Sequence, residues 1–126
     1  MNSIAPLAYS PATYARADQA LRCAPFTLTL FKAMEEASIP LAAIATVSGY
    51  TRQPLGEARI EAELAWLIQV GLLRREVDGQ GITDSFRLTP LGKQLVWHWQ
   101  QMGSLPRATC GEQVQNQLRR WRALSF

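Results

Sequence analysis

The sequence predicts a mainly α chain that carries one small β-hairpin. Three observations lead there. Apolar residues recur at helical spacing in several segments bounded by Ser, Thr, Pro or Gly. A strand–turn–strand pattern, "RREVDGQGITDSFRLT", lies between two of those segments. A chain of 126 residues is the size of one ordinary domain, and its 48% apolar content supports a globular core.

The elements follow in order. Residues 1–10 form a loose, partly apolar arm, and residues 11–104 form the body. Ser10-Pro11 supplies an N-cap followed by proline at the first helical position, so a short helix spans about 11–22. Pro25 restarts the helical pattern in "PFTLTLFKAMEEAS", where Phe26, Leu30, Met34 and Ala37 share a face. Ser38-Ile39-Pro40 closes that helix and opens the next. In "IPLAAIATVSGY", Leu41, Ile44 and Val47 come at steps of three, and Ser48-Gly49 stops the pattern. A helix this short must pack on neighbours to persist. Thr51 caps a longer helix that ends at Gly71. Its beginning, "TRQPLG", is irregular, because Pro54 disfavours helical geometry at Gln53 and Gly56 weakens it further.

Leu72 and Leu73 return the chain to the core, and Asp78-Gly79 turns the hairpin. Phe86 and Leu88 alternate with Ser85 and Arg87, as on a half-exposed strand. Thr89 caps the next helix with Pro90 at its first position. Leu91, Leu95, His98 and Met102 give that helix a face, while Trp97 and Trp99 point roughly 200° apart. Residues 105–126 make a separate C-terminal amphipathic helix, a possible dimerisation element. Thr109 and Glu112 fit a T-x-x-E capping box there. Val114, Leu118, Trp121 and Leu124 form an apolar stripe that must be buried somewhere.

Composition excludes several functions. Cys23 and Cys110 with a single histidine, His98, provide neither a zinc site nor a disulfide framework. One histidine, scattered carboxylates and no glycine-rich phosphate loop leave no catalytic constellation. No enzyme activity and no cofactor are therefore expected. No apolar run approaches the ~18 residues of a membrane span, and the N-terminus lacks a secretory pattern. The expectation is a soluble, cytoplasmic protein. Its net charge of +3 resides in residues 107–126, where Arg107, Arg119, Arg120 and Arg122 face only Glu112. The first 106 residues balance, so the charge permits nucleic-acid contact without requiring it.

The order helix, short helix, turn, helix, hairpin resembles a winged helix-turn-helix domain. "LAAIATVSGYT", "GLLRREVDG" and "FRLTPLGKQLV" look like the second helix, first wing strand and post-wing helix of bacterial winged-helix transcription regulators. The likeness covers about residues 25–102, leaving extra helices at both ends. It implies that the helix after the turn enters the DNA major groove while the wing follows the backbone. Arg52, Gln53 and Arg59 would then face the groove. Arg74, Arg75, Gln80, Arg87 and Lys93 would meet phosphates. The chain departs from the compact pattern with 22 residues from Gly49 to Gly71. If Ile60, Leu64, Leu67 and Gly71 mark the core side, the opposite side holds Leu55, Ala58, Arg59, Ala62, Trp66 and Gln69. One arginine there is thin provision for DNA, and Glu57, Glu61 and Glu63 repel phosphate.

Two functions follow from these residues. The first is a dimeric winged-helix regulator of transcription bound to double-stranded DNA. The second is a winged-helix protein–protein interaction module that has lost DNA binding. Leu55, Trp66, Val114, Leu118 and Trp121 would then be interface anchors for a homodimer or another protein, with one of Trp97 or Trp99 beside them. The competing assignment for Trp66 is core, with the terminal helix folded back over it. Removal of residues 107–126 is expected to leave a monomer.

Overall fold

A computed structural model describes residues 9–124, apart from the side chain of Leu124; the first eight residues, which hold most of the expected N-terminal arm, lie outside the described residues. The described chain is mixed α and β, with six helices and a three-stranded antiparallel sheet.

Helix α1 (Pro11–Cys23) begins where expected: the Ser10 hydroxyl oxygen accepts the Thr13 N–H at 3.1 Å, with Pro11 in the first turn. It buries Ala17, Ala20 and Leu21. Helix α2 (Leu28–Glu36) starts three residues later than the Pro25 expectation, under a Thr27 cap. The intervening Pro25–Thr27 stretch is extended and tied to the turn before the longer helix. Phe26 bridges Thr51, the Thr27 N–H donates to the Tyr50 carbonyl at 3.1 Å, and the Arg52 N–H donates to Pro25 at 2.8 Å. Extended backbone lets Phe26 drop fully into the core beside Phe31, edge to face at 6.3 Å.

Ile39–Pro40, expected only as a helix boundary, is a short strand, β1. Its partners are Phe86 and Ser85. Helix α3 (Leu41–Thr46) follows at once, and Ile44 is its buried residue. Val47, expected on the same face, is exposed because the helix has already ended. Gly49 turns the chain at φ +91°, a value that favours glycine.

Helix α4 (Glu57–Gln69) starts at a Gly56 cap instead of Thr51, since Thr51 and Arg52 are engaged with Phe26 and Pro25. Ile60, Leu64 and Leu67 are buried on its core side as expected. The helix closes in a Schellman turn: the Gly71 N–H reaches Ile68 at 3.0 Å and the Leu72 N–H reaches Leu67 at 2.9 Å.

Strands β2 (Leu73–Asp78) and β3 (Gly81–Leu88) form the hairpin, and the sheet order is β1-β3-β2. Pairing shifts register between Arg75 and Val77, so Glu76 sits at a bulge. Asp78 accepts the Gln80 N–H at 2.7 Å across the turn. Phe86 and Leu88 are buried with Leu72 and Leu73, which roots the hairpin in the core.

Helix α5 (Pro90–Met102) is capped by Thr89, whose hydroxyl oxygen accepts the Gly92 N–H at 3.0 Å. Leu91 and Leu95 are buried as expected, but His98 and Met102 are exposed. Val96 and the half-buried Trp99 complete the inward face in their place, and the Trp99 indole N–H donates to Asp18 on α1 at 2.8 Å. Trp97 points outward.

Helix α6 (Cys110–Leu124) opens with the expected capping box. The Thr109 N–H donates to the Glu112 carboxylate at 3.0 Å, and the Glu112 N–H donates to the Thr109 hydroxyl oxygen at 3.2 Å. None of the described helices is long and apolar enough to cross a membrane.

Candidate functional site

Helix α6 docks on α1 and α4 by its polar side. Glu112 forms a two-pronged ion pair with Arg22, which also holds Asp18 at 3.1 Å. Gln19 donates to Gln115 at 2.8 Å and accepts from Arg119 at 3.1 Å. The Trp66 indole N–H donates to Asn116 at 3.0 Å, and Arg120 reaches Glu63 at 3.0 Å. Gln19, Glu63, Trp66 and Asn116 are all buried in this contact. Buried polar groups persist when each finds a partner, and here the partners are matched across the two surfaces.

The apolar stripe of α6 consequently faces outward. Val114 is 61% exposed, Leu118 50% and Trp121 70%. The expectation that Trp66 offers an anchor to a partner is corrected: at 7% exposure it is covered by α6 of its own chain. Leu55 is half-buried against the core, so it too has little surface to offer. Removal of residues 107–126 would therefore uncover Trp66 and leave Glu63 with one partner fewer, confounding assembly with stability.

The ion pair with Arg22 shows in the acidity of Glu112. The Arg22 hydrogen bond, helped by the Thr109 N–H, holds the Glu112 carboxyl at about 2, well below its usual 4.5. A depressed folded pKa makes the contribution to stability complete above the unfolded value, and it is lost as pH falls toward 2. Glu112→Gln should lower the thermal midpoint at pH 7, and the melting curves of variant and parent should converge between pH 4.5 and 2. A gap that stays constant over that range would contradict the assignment.

The residues expected to meet DNA are largely engaged with carboxylates of the chain itself. Arg59 pairs with Glu63 at 3.0 Å. On the hairpin, Arg74 and Arg87 both hold Glu76 at 3.3 Å. Arg75 holds Asp84 at 3.3 Å, approaches Glu61 at 4.0 Å and lies 4.9 Å above the Phe86 ring. The more exposed of these pairs, Arg74–Glu76 and Arg75–Asp84, add little stability. They do, however, neutralise the charge that phosphates require. Gln80 and Lys93 are exposed, Gln80 at the hairpin tip with Val77 and Ile82 as its apolar neighbours.

Arg52 and Gln53 do not lie with the hairpin. They line a cleft beside α6 together with Arg59, Arg107 and Arg120. Arg107 was not singled out as a site residue from the sequence, because nothing local connects a linker arginine to position 52. Cys23 is half-buried and burial pushes its thiol pKa up, while Cys110 is exposed. Among the described residues, no group of three or more His, Cys, Asp and Glu could hold a metal ion.

The chain belongs to the Npun_F0494-like family, whose model matches residues 7–120. No curated protein and no solved structure matches it.

Proposed function

We propose that the chain is a winged-helix protein–protein interaction module that assembles with a second copy of itself through the outer stripe of α6. One observation carries this reading: α6 turns its polar side to its own domain and leaves at least half of the surface of Val114, Leu118 and Trp121 exposed. Support for the winged-helix part comes from the order α2, α3, α4, β2, β3 and from a hairpin anchored by Phe86 and Leu88. Exposed aromatic and aliphatic side chains in one row are the usual core of an interface. Two copies of one helix face satisfy each other in a two-fold arrangement. A single-helix face is smaller than the ~800 Å² per partner of a standard interface, so the dimer is of micromolar strength, on the order of 10 µM.

DNA reading receives less support. Between Glu57 and Leu88 there are four arginines and six carboxylates, and each of those arginines has a carboxylate partner. The test uses Leu118→Glu for assembly and fold, and the parent chain for DNA. Light scattering should report a monomer, with a thermal midpoint within about 2 °C of the parent, since exposed substitutions change stability by under ~0.5 kcal/mol. Duplex DNA should bind only weakly and without sequence preference at physiological salt, at or above about 10⁻⁶ M. Nanomolar, sequence-dependent binding with a steep salt slope would overturn the proposal in favour of a DNA-binding transcription regulator.

A further inference from the structure

A cleft of about 780 Å³ opens between the end of α1, the irregular segment before α4, the outer face of α4 and α6. That volume falls in the range of about 300–1,000 Å³ typical of small-molecule sites. Its lining carries five arginines and a single carboxylate, Glu63. Three of those arginines are answered. Arg59 and Arg120 share Glu63, and Arg22 holds Asp18 and Glu112. Arg52 and Arg107 have no carboxylate partner among the described residues.

Arg52 is the more telling of the two. Its Nε is buried without a hydrogen-bond partner, one of two such side-chain atoms among the described residues. Burial lowers its pKa, and the nearby charge of Arg107 lowers it further. Two cations held side by side without a carboxylate between them repel each other. An acceptor with negative charge seated between them would relieve that repulsion. The backbone of Arg52 is fixed independently, because its N–H is held by the Pro25 carbonyl at 2.8 Å.

We propose that this cleft binds a small phosphorylated ligand, with its phosphate oxygens placed between Arg52 and Arg107. A phosphate group carries up to about two charges and three acceptor oxygens, enough to answer two guanidinium forks, whereas one carboxylate carries one charge. Gln53, Gln113 and Gln117 line the rest of the cleft and provide both donors and acceptors for a polar body attached to the phosphate.

Calorimetric titration with sodium pyrophosphate, at ionic strength held constant with sodium chloride, tests this on the intact chain. Saturable binding at a Kd on the order of 0.1 mM is expected. Arg107→Gln should weaken it at least tenfold. Arg107 is exposed and sits in the linker before α6, so the variant should fold. Without ligand its thermal midpoint should stay level or rise, since a like charge beside Arg52 has gone; a purely structural Arg107 would give a fall. Leu118 does not line the cleft, so Leu118→Glu should bind pyrophosphate unchanged even if assembly through α6 proves wrong. No saturation by 10 mM, or equal binding by Arg107→Gln, overturns the proposal. Tighter binding of citrate than of pyrophosphate would overturn the phosphate assignment. Displacement of pyrophosphate by lower concentrations of a duplex oligonucleotide would overturn the small ligand in favour of a nucleic-acid backbone.

Discussion

Trp66→Ala should destabilise the chain by about 3–5 kcal/mol, the range for truncating a buried tryptophan. The corresponding fall in thermal midpoint is on the order of 10–20 °C for a domain of this size. Two losses combine. The indole leaves a void between α4 and α6, and Asn116 loses the donor that it meets at 3.0 Å while itself buried. The Arg120 guanidinium, 6.0 Å from the ring centre, loses its aromatic face as well. Trp66→Phe separates the contributions, because it keeps most of the packing and removes the N–H. It should cost about 1–3 kcal/mol. Both changes should appear in thermal unfolding at concentrations where the protein is monomeric. A Trp66→Ala variant that melts with the parent but fails to self-associate would move Trp66 to an interface and reverse the assignment of core.

Gly92→Ala should destabilise by about 3 kcal/mol or more, at the upper end of overpacking effects. The sign is the informative part, since alanine in place of glycine inside a helix is ordinarily worth about 1 kcal/mol in favour. A methyl group at position 92 would lie 2.3 Å from the Leu72 carbonyl oxygen and 3.1 Å from Leu88 Cδ2. That carbonyl is already fixed, accepting the Thr89 N–H at 3.0 Å and the Thr89 hydroxyl at 3.1 Å. Either α5 shifts from the hairpin base or those bonds break. Gly111→Ala is the matched control in the first turn of α6, where the added methyl would meet only Thr109 Oγ1 at 4.0 Å. It should be neutral or stabilising by up to about 1 kcal/mol. Chemical denaturation of the two variants checks both expectations, and a neutral Gly92→Ala would refute the close approach of α5 to Leu72.

Much of the fold was legible because its signals are local. Ser10-Pro11, Thr89-Pro90, Gly71, Asp78-Gly79 and the Thr109–Glu112 box act within a few residues, and each does in the structure what its chemistry suggests. What escaped detection depends on distant partners. Ile39–Pro40 is a strand only because Phe86 and Ser85 lie alongside it. Thr51 looks like a cap but is held by Phe26.

The orientation of α6 is the sharpest instance. Its stripe of Val114, Leu118 and Trp121 suggests an inward apolar face by the ordinary rule for surface helices. The opposite side wins because α1 and α4 present Arg22, Gln19, Glu63 and Trp66 at positions that match Glu112, Gln115, Arg120 and Asn116. Those pairs are separated by between 50 and 96 residues in sequence, so no window on the helix itself reveals them. The cleft at Arg52 escaped for the same reason. Its second arginine, Arg107, arrives from the far side of the hairpin and α5.

Whether the outward stripe is a self-association surface is best measured by sedimentation equilibrium of the unmodified chain from about 1 to 200 µM, spanning micromolar affinity. The account predicts a mass rising from 14.1 kDa toward twice that value across the range. A mass fixed at that of one chain up to the highest concentration would contradict it.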